Sequence, residues 1–528
     1  MSNSTKLAHS LLRQLIEVGV SDFVISPGSR NAPLAIALGE AASKEIIDLH
    51  IKIDERGAAY YALGISKASN NYVAVICTSG TAAANFHPAA LEAFHSNNKL
   101  ILITADRPAR LRKTGANQTT DQVNIYSVVK THDFAAEIEI KKLLTGSPVH
   151  LNVQFDEPLI ESEKTDWLAG LKILLPNYEN KISGRLEVGS GVLIIGHDRA
   201  GYSVAEVNTF VSKLNWPVIS EDLISFPQSI AHASLFLSDP QIAAKLTPEN
   251  VIVIGRTTLS RSINTFINLA KKVIVIDPRT ADIDSKREAD LILKALPNEV
   301  VSVKSDQSIW HMASDAAAIQ LENLVWSEQL AITTICELLP DESALFVGSS
   351  RPVRDIEAFA HPRSGVSVFA NRGLAGIDGN ISTVFGVTNE FERTTAILGD
   401  LTFLHDISAL TNATVGNLRI FVIDNNGGGI FSTLPQANTG NFEQLFGTTH
   451  NLDLLKVIAG FGVSVVKITN LGELQSAASK EIKGFEVVVV NVPSRESNAD
   501  QLNTDGDIEG DVCDLDDDND GFSDEEEL

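Results

Sequence analysis

Residues 394–410 read TTAILGDLTFLHDISAL, and residues 418–431 read LRIFVIDNNGGGIF. The apolar run from Thr395 to Leu398 ends at Gly399-Asp400, and a segment of helical character follows. A second apolar run, Leu418 to Ile423, ends at Asp424-Asn425-Asn426-Gly427. Between Asp400 and Asn425 lie 24 residues. The pattern predicts a strand–loop–helix–strand unit whose two strand ends deliver oxygen ligands to one edge of a sheet. In open α/β sheets that carboxyl edge is where ligands bind. A carboxylate, an amide oxygen and a backbone carbonyl together suit a hard cation such as Mg²⁺, which keeps its remaining positions for phosphate oxygens. The competing reading is an ordinary βαβ unit ending in a turn, because Asn-Gly is a common turn dipeptide.

Working outward, the 528 residues leave room for about three domains. Hydrophobic content of 44% and charged content of 21% describe an ordinary soluble globular chain. No apolar run reaches the roughly 18–20 residues that a membrane span needs. The opening stretch, MSNSTKLAHSLLRQLIEVGV, lacks a basic cluster. Its Leu7, Leu11, Leu12, Leu15 and Ile16 recur at helical spacing, so it reads as an amphipathic helix rather than a leader. Cys77, Cys336 and Cys513 are too few and too far apart for a disulfide scaffold or a CxxC metal site. A reducing cytoplasm is the expected location. The net charge of −25 divides unevenly, because 15 of the 67 acidic side chains follow Arg495 and no Lys or Arg does. Residues 1–495 therefore carry 52 acidic and 42 basic groups, a net of −10. A mildly acidic body argues against a nucleic-acid partner.

Helix and strand alternate over the first 170 residues or so, with polar loops at the strand ends: SPGSR, DER, TSGTA and ADRP. This predicts a doubly wound parallel sheet. A polar stretch within 161–185 reads as a linker. Strands return at 191–196, 216–220, 251–255 and 272–277, without a GxGxxG fingerprint. Further strands fall at 344–350, 366–371, 394–400, 418–424 and 486–492. The expected class is α/β, with three doubly wound parallel-sheet domains at 1–175, 185–310 and 325–495, plus an acidic tail at 496–528. Arginines and amides crowd the loops: Ser29-Arg30, Arg107, Asn117-Gln118, Ser350 to Arg354, and Asn371-Arg372-Gly373. A guanidinium fork matches carboxylates bidentately, so arginines on several strand-end loops point to substrates with several carboxylates. A lone surface arginine is more often solvated. Asp54-Glu55-Arg56 sits at a strand–helix junction, where an acid commonly caps the helix. His87 and His405 read as structural, and the histidines of the third domain as isolated. Arg279 and Lys286-Arg287 are basic groups near a strand end of the second domain.

The GD…NN spacing resembles the thiamine diphosphate signature. That resemblance implies that Asp400, Asn425 and the carbonyl of Gly427 hold Mg²⁺, with Mn²⁺ as a substitute, and that Gly399 and Leu401 flank the diphosphate. It implies pyrimidine-binding, central and diphosphate-binding roles for the three domains in turn, with Glu55 as the glutamate that activates the aminopyrimidine at N1′. SPGSR, DERGAAYYALG, TSGTAAANFHPA, ADRP, GANQTTDQ, NRGLAGIDGNIST, LGDLTFLHD and DNNGGGIFSTLP are more specific. Together, over about residues 5–498, they resemble the 2-succinyl-5-enolpyruvyl-6-hydroxy-3-cyclohexene-1-carboxylate synthase family of menaquinone biosynthesis. The resemblance implies decarboxylation of 2-oxoglutarate and addition of the succinyl-semialdehyde carbanion to isochorismate. It places Ser29, Arg30, Arg107, Gln118, Ser350, Arg354 and Arg372 on substrate contacts. Ile377 matches the apolar wedge that bends the cofactor, and Ile430, Phe431 and Leu434 match an apolar wall beside it. It also implies a homodimer or tetramer, with no nucleic-acid or membrane partner. Another thiamine-dependent 2-oxoacid decarboxylase or acetolactate-type synthase is the alternative.

After NVPSRESNA the match ends. The chain runs on as DQLNTDGDIEGDVCDLDDDNDGFSDEEEL, with Asp at alternating positions and Gly at turns. The segment resembles a single type 3 repeat of thrombospondin-like proteins, which implies a weak Ca²⁺ site. Low hydrophobicity with high charge predicts plain disorder instead. Ordering it would cost about 1–2 kcal/mol of backbone entropy per residue, with few apolar side chains to offset that. Deleting residues 500–528 is therefore expected to leave turnover nearly unchanged. A several-fold loss, or a Ca²⁺ dependence seen only in the full chain, would show the tail to be functional.

Overall fold

The protein is represented by a computed structural model that describes residues 3–160, 166–174, 183–196, 198–279, 289–413 and 415–493. Lys286-Arg287, Cys513 and the acidic tail with its Ca²⁺ motif lie outside the described residues.

Nineteen strands form three parallel sheets and a two-stranded pair among the described residues. The first sheet contains β1 (Asp22–Ile25), β2 (Asp48–Ile51), β3 (Val73–Cys77), β4 (Leu100–Asp106), β5 (Thr131–Phe134) and β6 (Val149–Gln154), in the order β2-β1-β3-β4-β6-β5. β3 and β4 are buried at every residue. Strands covered by helices on both faces read as continuous apolar runs, which is why VAVIC and LILITA lack alternation.

In the middle of the chain, β7 (Ser183–Val188) and β13 (Pro297–Ser302) pair with each other. Between them lie β8 (Gly191–Ile195), β9 (Val218–Ser220), β10 (Asn250–Ile254), β11 (Lys272–Ile276) and β12 (Leu291–Leu293), in the order β12-β11-β10-β8-β9. The last sheet holds β14 (Ser343–Val347), β15 (Val366–Phe369), β16 (Arg393–Gly399), β17 (Asn417–Asp424), β18 (Ser464–Ile468) and β19 (Phe485–Asn491). Its order, β15-β14-β16-β17-β19-β18, repeats that of the first sheet strand for strand. In both sheets the order reverses beside the first strand. The loops there, after β1 and β3 and after β14 and β16, carry the polar motifs, as the switch-point rule expects.

The chain divides into two compact units. One comprises Met1–Glu179, Asn371–Glu392 and His405–Gly416; the other comprises the remainder. Two segments that the sequence reads as part of the third domain thus belong with the first sheet. The reason is a helix pair. The helix Glu55–Ser69 is buried along Ala58 to Ser66, and the helix Asn380–Thr388 is buried at all nine residues. They cross at Gly64 and Gly386. A Cβ on Gly64 would lie 2.2 Å from the Thr383 carbonyl oxygen, and one on Gly386 would lie 2.1 Å from that of Tyr61. Only bare backbones can approach so closely.

Gly64→Ala is expected to cost about 1–3 kcal/mol through overpacking at this crossing. Gly39, on the exposed face of the helix Ala32–Ser43, faces open space, and a Cβ added there would meet nothing within 4 Å. At that position an Ala should stabilise by up to about 1 kcal/mol through helix propensity. Thermal melts of the two variants should move in opposite directions, and equal shifts would refute the close-crossing account.

Candidate active site

In the unit that contains the first sheet, Asp54 caps the helix Glu55–Ser69 by accepting from the backbone N–H groups of Arg56 (3.0 Å) and Gly57 (3.4 Å). The cap is therefore Asp54, and Glu55 stands in the first turn, half-buried, with no part in the capping. Arg56 is fixed by the His405 carbonyl (3.1 Å) and by Asp406 (3.3 Å). Asp406 in turn accepts from the Ser382 N–H at 2.7 Å, and burial pushes its pKa up to about 6. His87 packs edge-on against the Tyr126 ring.

Ser29 and Arg30 follow β1 in a loop stapled by Asn31, which accepts from the Gly28 N–H (3.0 Å) and donates to the Ser26 carbonyl (2.9 Å). Arg30 donates to the Phe155 carbonyl (3.1 Å) and pairs with Glu157 (3.2 Å). Arg107 donates to Ser79 Oγ (2.8 Å) and to the Gln118 carbonyl (2.7 Å). Burial and the neighbouring Arg30 guanidinium lower its pKa. Gln118 has left-handed backbone, φ 53°, and lies against Gly80, whose N–H donates to Gln122 (2.9 Å). The structure thus gathers Arg30, Arg107 and Gln118 into one region. Two guanidiniums in mutual repulsion suit a polyanionic ligand.

Arg372 is buried in the loop 371–379. That loop is clamped by Glu92, whose two carboxylate oxygens accept from the Gly373 and Leu374 N–H groups, both at 2.9 Å. Sequence reading misses Glu92, which lies 281 residues before Gly373 and belongs to no motif. Ile377 is half-buried in the same loop.

In the second unit, β16 and β17 pair so that Gly399 lies opposite Ile423. This register brings Asp400 out beside Asp424 and Asn425. Asp400 Oδ1 accepts from the Leu401 N–H (2.6 Å), and Oδ2 accepts from the Gly427 N–H (2.8 Å) and from His450 Nε2 (3.2 Å). Asn425 donates through Nδ2 to Glu328 (3.3 Å), while its Oδ1 is buried with no partner among the described residues. A buried orphan acceptor is costly unless a ligand satisfies it. With the remaining lone pair of Asp400 Oδ1 and the second lone pair of the Gly427 carbonyl, it makes a set of hard oxygen donors that fits a divalent cation.

His450 is a correction to the sequence reading, because it is not isolated. Asp400, Asp424 and His450 offer ligand atoms within 4.8 Å of one another. Its Nδ1 accepts from the Leu452 N–H at 3.0 Å, so the proton of the neutral ring sits on Nε2, which faces the carboxylates as a donor. A donor cannot ligate a metal, so in this geometry the oxygen set is the better one. The hydrogen bond to Asp400 raises the pKa of His450, and burial raises that of Asp424. Neither His450 nor Glu328 has a spacing that marks it in the sequence.

Ile430 and Phe431 lie in the turn Gly429–Thr433, with Phe431 against Phe446 at 5.7 Å between ring centres, and Leu434 follows half-buried. Arg354 donates to the Ser350 carbonyl at 2.9 Å. Arg279 is neutralised by Asp277 and Asp198.

The chain matches, in order, three families: "Thiamine pyrophosphate enzyme, N-terminal TPP binding domain" over residues 5–125, "Middle domain of thiamine pyrophosphate" over 163–347, and "Thiamine pyrophosphate enzyme, C-terminal TPP binding domain" over 356–492. It is 36% identical to the 2-succinyl-5-enolpyruvyl-6-hydroxy-3-cyclohexene-1-carboxylate synthase of Nocardioides sp., with 92% of this chain and 94% of that protein covered. The proteins of the same name from Thermobifida fusca and Lysinibacillus sphaericus are each 34% identical, with 90% of this chain and 94% and 93% of theirs covered. The chain belongs to the 2-succinyl-5-enolpyruvyl-6-hydroxy-3-cyclohexene-1-carboxylate synthase family of thiamine pyrophosphate enzymes.

Ser350 adopts φ 80°, ψ −128°, a conformation that suits glycine and strains any other residue. Strain of this kind costs about 1–3 kcal/mol. Ser350→Gly is expected to relieve more than the added unfolded-state entropy takes back, raising stability by about 1 kcal/mol. Denaturant titration checks this, and a destabilised variant would mean that the Ser350 side chain holds the loop.

Proposed function

We propose that this chain is a thiamine diphosphate- and Mg²⁺-dependent synthase that decarboxylates 2-oxoglutarate. It joins the remaining four-carbon unit to isochorismate, with release of CO₂. The observation that carries this reading is the emergence of Asp400 and Asn425 from adjacent strands at one sheet edge, with the Oδ1 of Asn425 buried and without a partner among the described residues. Identity of 30–36% to synthases named for that product, over nearly the whole chain, supports the choice of substrates.

Thiamine diphosphate, when bound, supplies the electron sink for decarboxylation. Asp400, Asn425 and the Gly427 carbonyl hold the cation, Mg²⁺ or Mn²⁺, and Gly399 and Leu401 frame the diphosphate. Ile377, Ile430 and Phe431 provide apolar support that keeps water from the reacting centre. Glu55 holds the proton shared with N1′ of the aminopyrimidine. Ser29, Arg30, Arg107 and Gln118, with Ser350, Arg354, Arg372 and Leu434, receive the substrates, the arginines taking their carboxylates.

The protein works in this reading as a cytoplasmic homodimer or tetramer, each site drawing Glu55 from one chain and Asp400 from another. No helix among the described residues is long and apolar enough to cross a membrane.

Product formation from 2-oxoglutarate and isochorismate, with Mg²⁺ and thiamine diphosphate added, tests the reading. Glu55→Gln should lose roughly 10²–10⁴-fold in turnover, the usual contribution of an acid–base group, with unchanged circular dichroism. Mixing Glu55→Gln with Asp400→Ala subunits should restore part of the activity. No recovery under conditions where subunits exchange would exclude a site shared between chains.

A further inference from the structure

Asn425 can offer a cation its oxygen only if its amide is turned the right way. The two ends of a carboxamide have the same shape and opposite hydrogen-bonding character. If Nδ2 faced the cation, two N–H dipoles would repel it. Some neighbour must therefore choose between the two orientations, and two features of the structure bear on that choice.

The first is Glu328, the opening residue of the helix Glu328–Glu337, which is capped by Ser327. Glu328 is buried, 2% exposed, and its Oε2 accepts from Asn425 Nδ2 at 3.3 Å. An ionised carboxylate accepts and never donates, so this contact selects Nδ2 over Oδ1. Glu328 is brought to the strand end from outside the GD…NN stretch. Trp326 Nε1 donates to the Asn491 carbonyl at 3.2 Å, and Asn491 lies opposite Asp424 in the β17–β19 register. The helix start is thereby tied to the edge at which Asn425 emerges.

The second feature is Gly429. A Cβ there would stand 2.4 Å from Asn425 Nδ2. The amide packs closely against bare backbone, in space that a side chain at Gly429 would fill. Its Oδ1, turned away from Glu328, is the buried atom without a partner.

We infer that Glu328 is a positioning residue that sets the orientation of the Asn425 amide, so that Oδ1 is presented to the cation. The inference rests on the proposed function, since it takes Asn425 as a cation ligand. Glu328 itself does not touch the metal. Loss of such a supporting contact typically weakens metal binding about 10- to 100-fold.

Glu328→Gln tests this with almost no change of volume. Glutamine can accept from Nδ2 or donate to Oδ1, so the preference between the two orientations is lost. In calorimetric titration with Mg²⁺ and thiamine diphosphate, the variant should bind the cation about 10- to 100-fold more weakly than the wild type. Turnover at saturating Mg²⁺ should stay near the wild-type value, because a bound cation itself pulls Oδ1 into place. The decisive control is Asn425→Asp, whose side chain presents an oxygen at both ends. Adding Glu328→Gln to Asn425→Asp should cause no further loss of Mg²⁺ affinity. If Glu328 merely supports the fold, the penalty will persist in the Asn425→Asp background, and the inference is overturned. If the wild type binds no Mg²⁺–thiamine diphosphate, the proposed function fails. If the wild type binds and Glu328→Gln binds equally well, only the present inference fails. Should Glu328→Gln not fold, ¹⁵N-asparagine labelling of the cation-free wild type decides the matter. The Asn425 side-chain amide, assigned by its loss in Asn425→Asp, should exchange slowly with solvent, and rapid exchange would overturn the inference.

Discussion

The register of β16 on β17 is the constraint on which the rest of the site depends. Gly399 opposite Ile423 makes Asp400 and Asp424-Asn425 leave the sheet together. A slip of one residue would send every side chain of the shifted strand to the opposite face. The buried runs on both strands prevent that slip. The hydrophobic core beneath the last sheet, including Ile397, Phe421, Ile423 and Val488, therefore does more than stabilise. It aligns the oxygen atoms.

That alignment concentrates acidic groups. Glu328 is pushed up to about 7 and Asp355 to about 6 by burial, with the Arg351 guanidinium opposing the rise in both. Asp424 is raised by burial and by Asp400. Against these stand Arg351, paired with Asp355 at 3.2 Å, and His450. An excess of buried carboxyl groups over nearby cationic side chains is costly to the fold by itself, and a divalent cation held at Asp400 would offset it. The first sheet shows the opposite balance at its switch point, where Arg30 and Arg107 stand close enough to repel.

The sequence reveals what lies along strands and at their ends. Continuous apolar runs mark β3, β4, β10, β11, β16, β17 and β19, and the Gly-Asp and Asn-Asn pairs stand where those runs stop. That an acid caps the helix after β2 is equally legible, because an acidic residue at a strand–helix junction is a local signal, while the choice of Asp54 over Glu55 comes from the structure. What stays hidden is set by contacts between distant parts of the chain. His450 reaches Asp400 from a loop with no motif, Glu328 reaches Asn425 across 97 residues, and Glu92 clamps a loop 281 residues away. The helix Asn380–Thr388 reads as part of the third domain because it lies between that domain's strands. Its allegiance to the first sheet comes from two glycines, whose lack of a side chain leaves no pattern to read.

That helix has a consequence for how the chain is made. The unit begun by Met1–Glu179 is completed only by Asn371–Glu392 and His405–Gly416. On the ribosome, 237 further residues must be synthesised after Glu179 before Gly416 exists. At about 5–20 residues per second this is a delay of roughly 10–50 s. Throughout it, the apolar surface of Glu55–Ser69 lacks the helix that buries it in the finished protein. Newly made chains thus pass through an obligatory interval in which a sticky, unfinished half is exposed while the sheet in the middle is being translated. A factor that shields such surfaces would have to act within that interval.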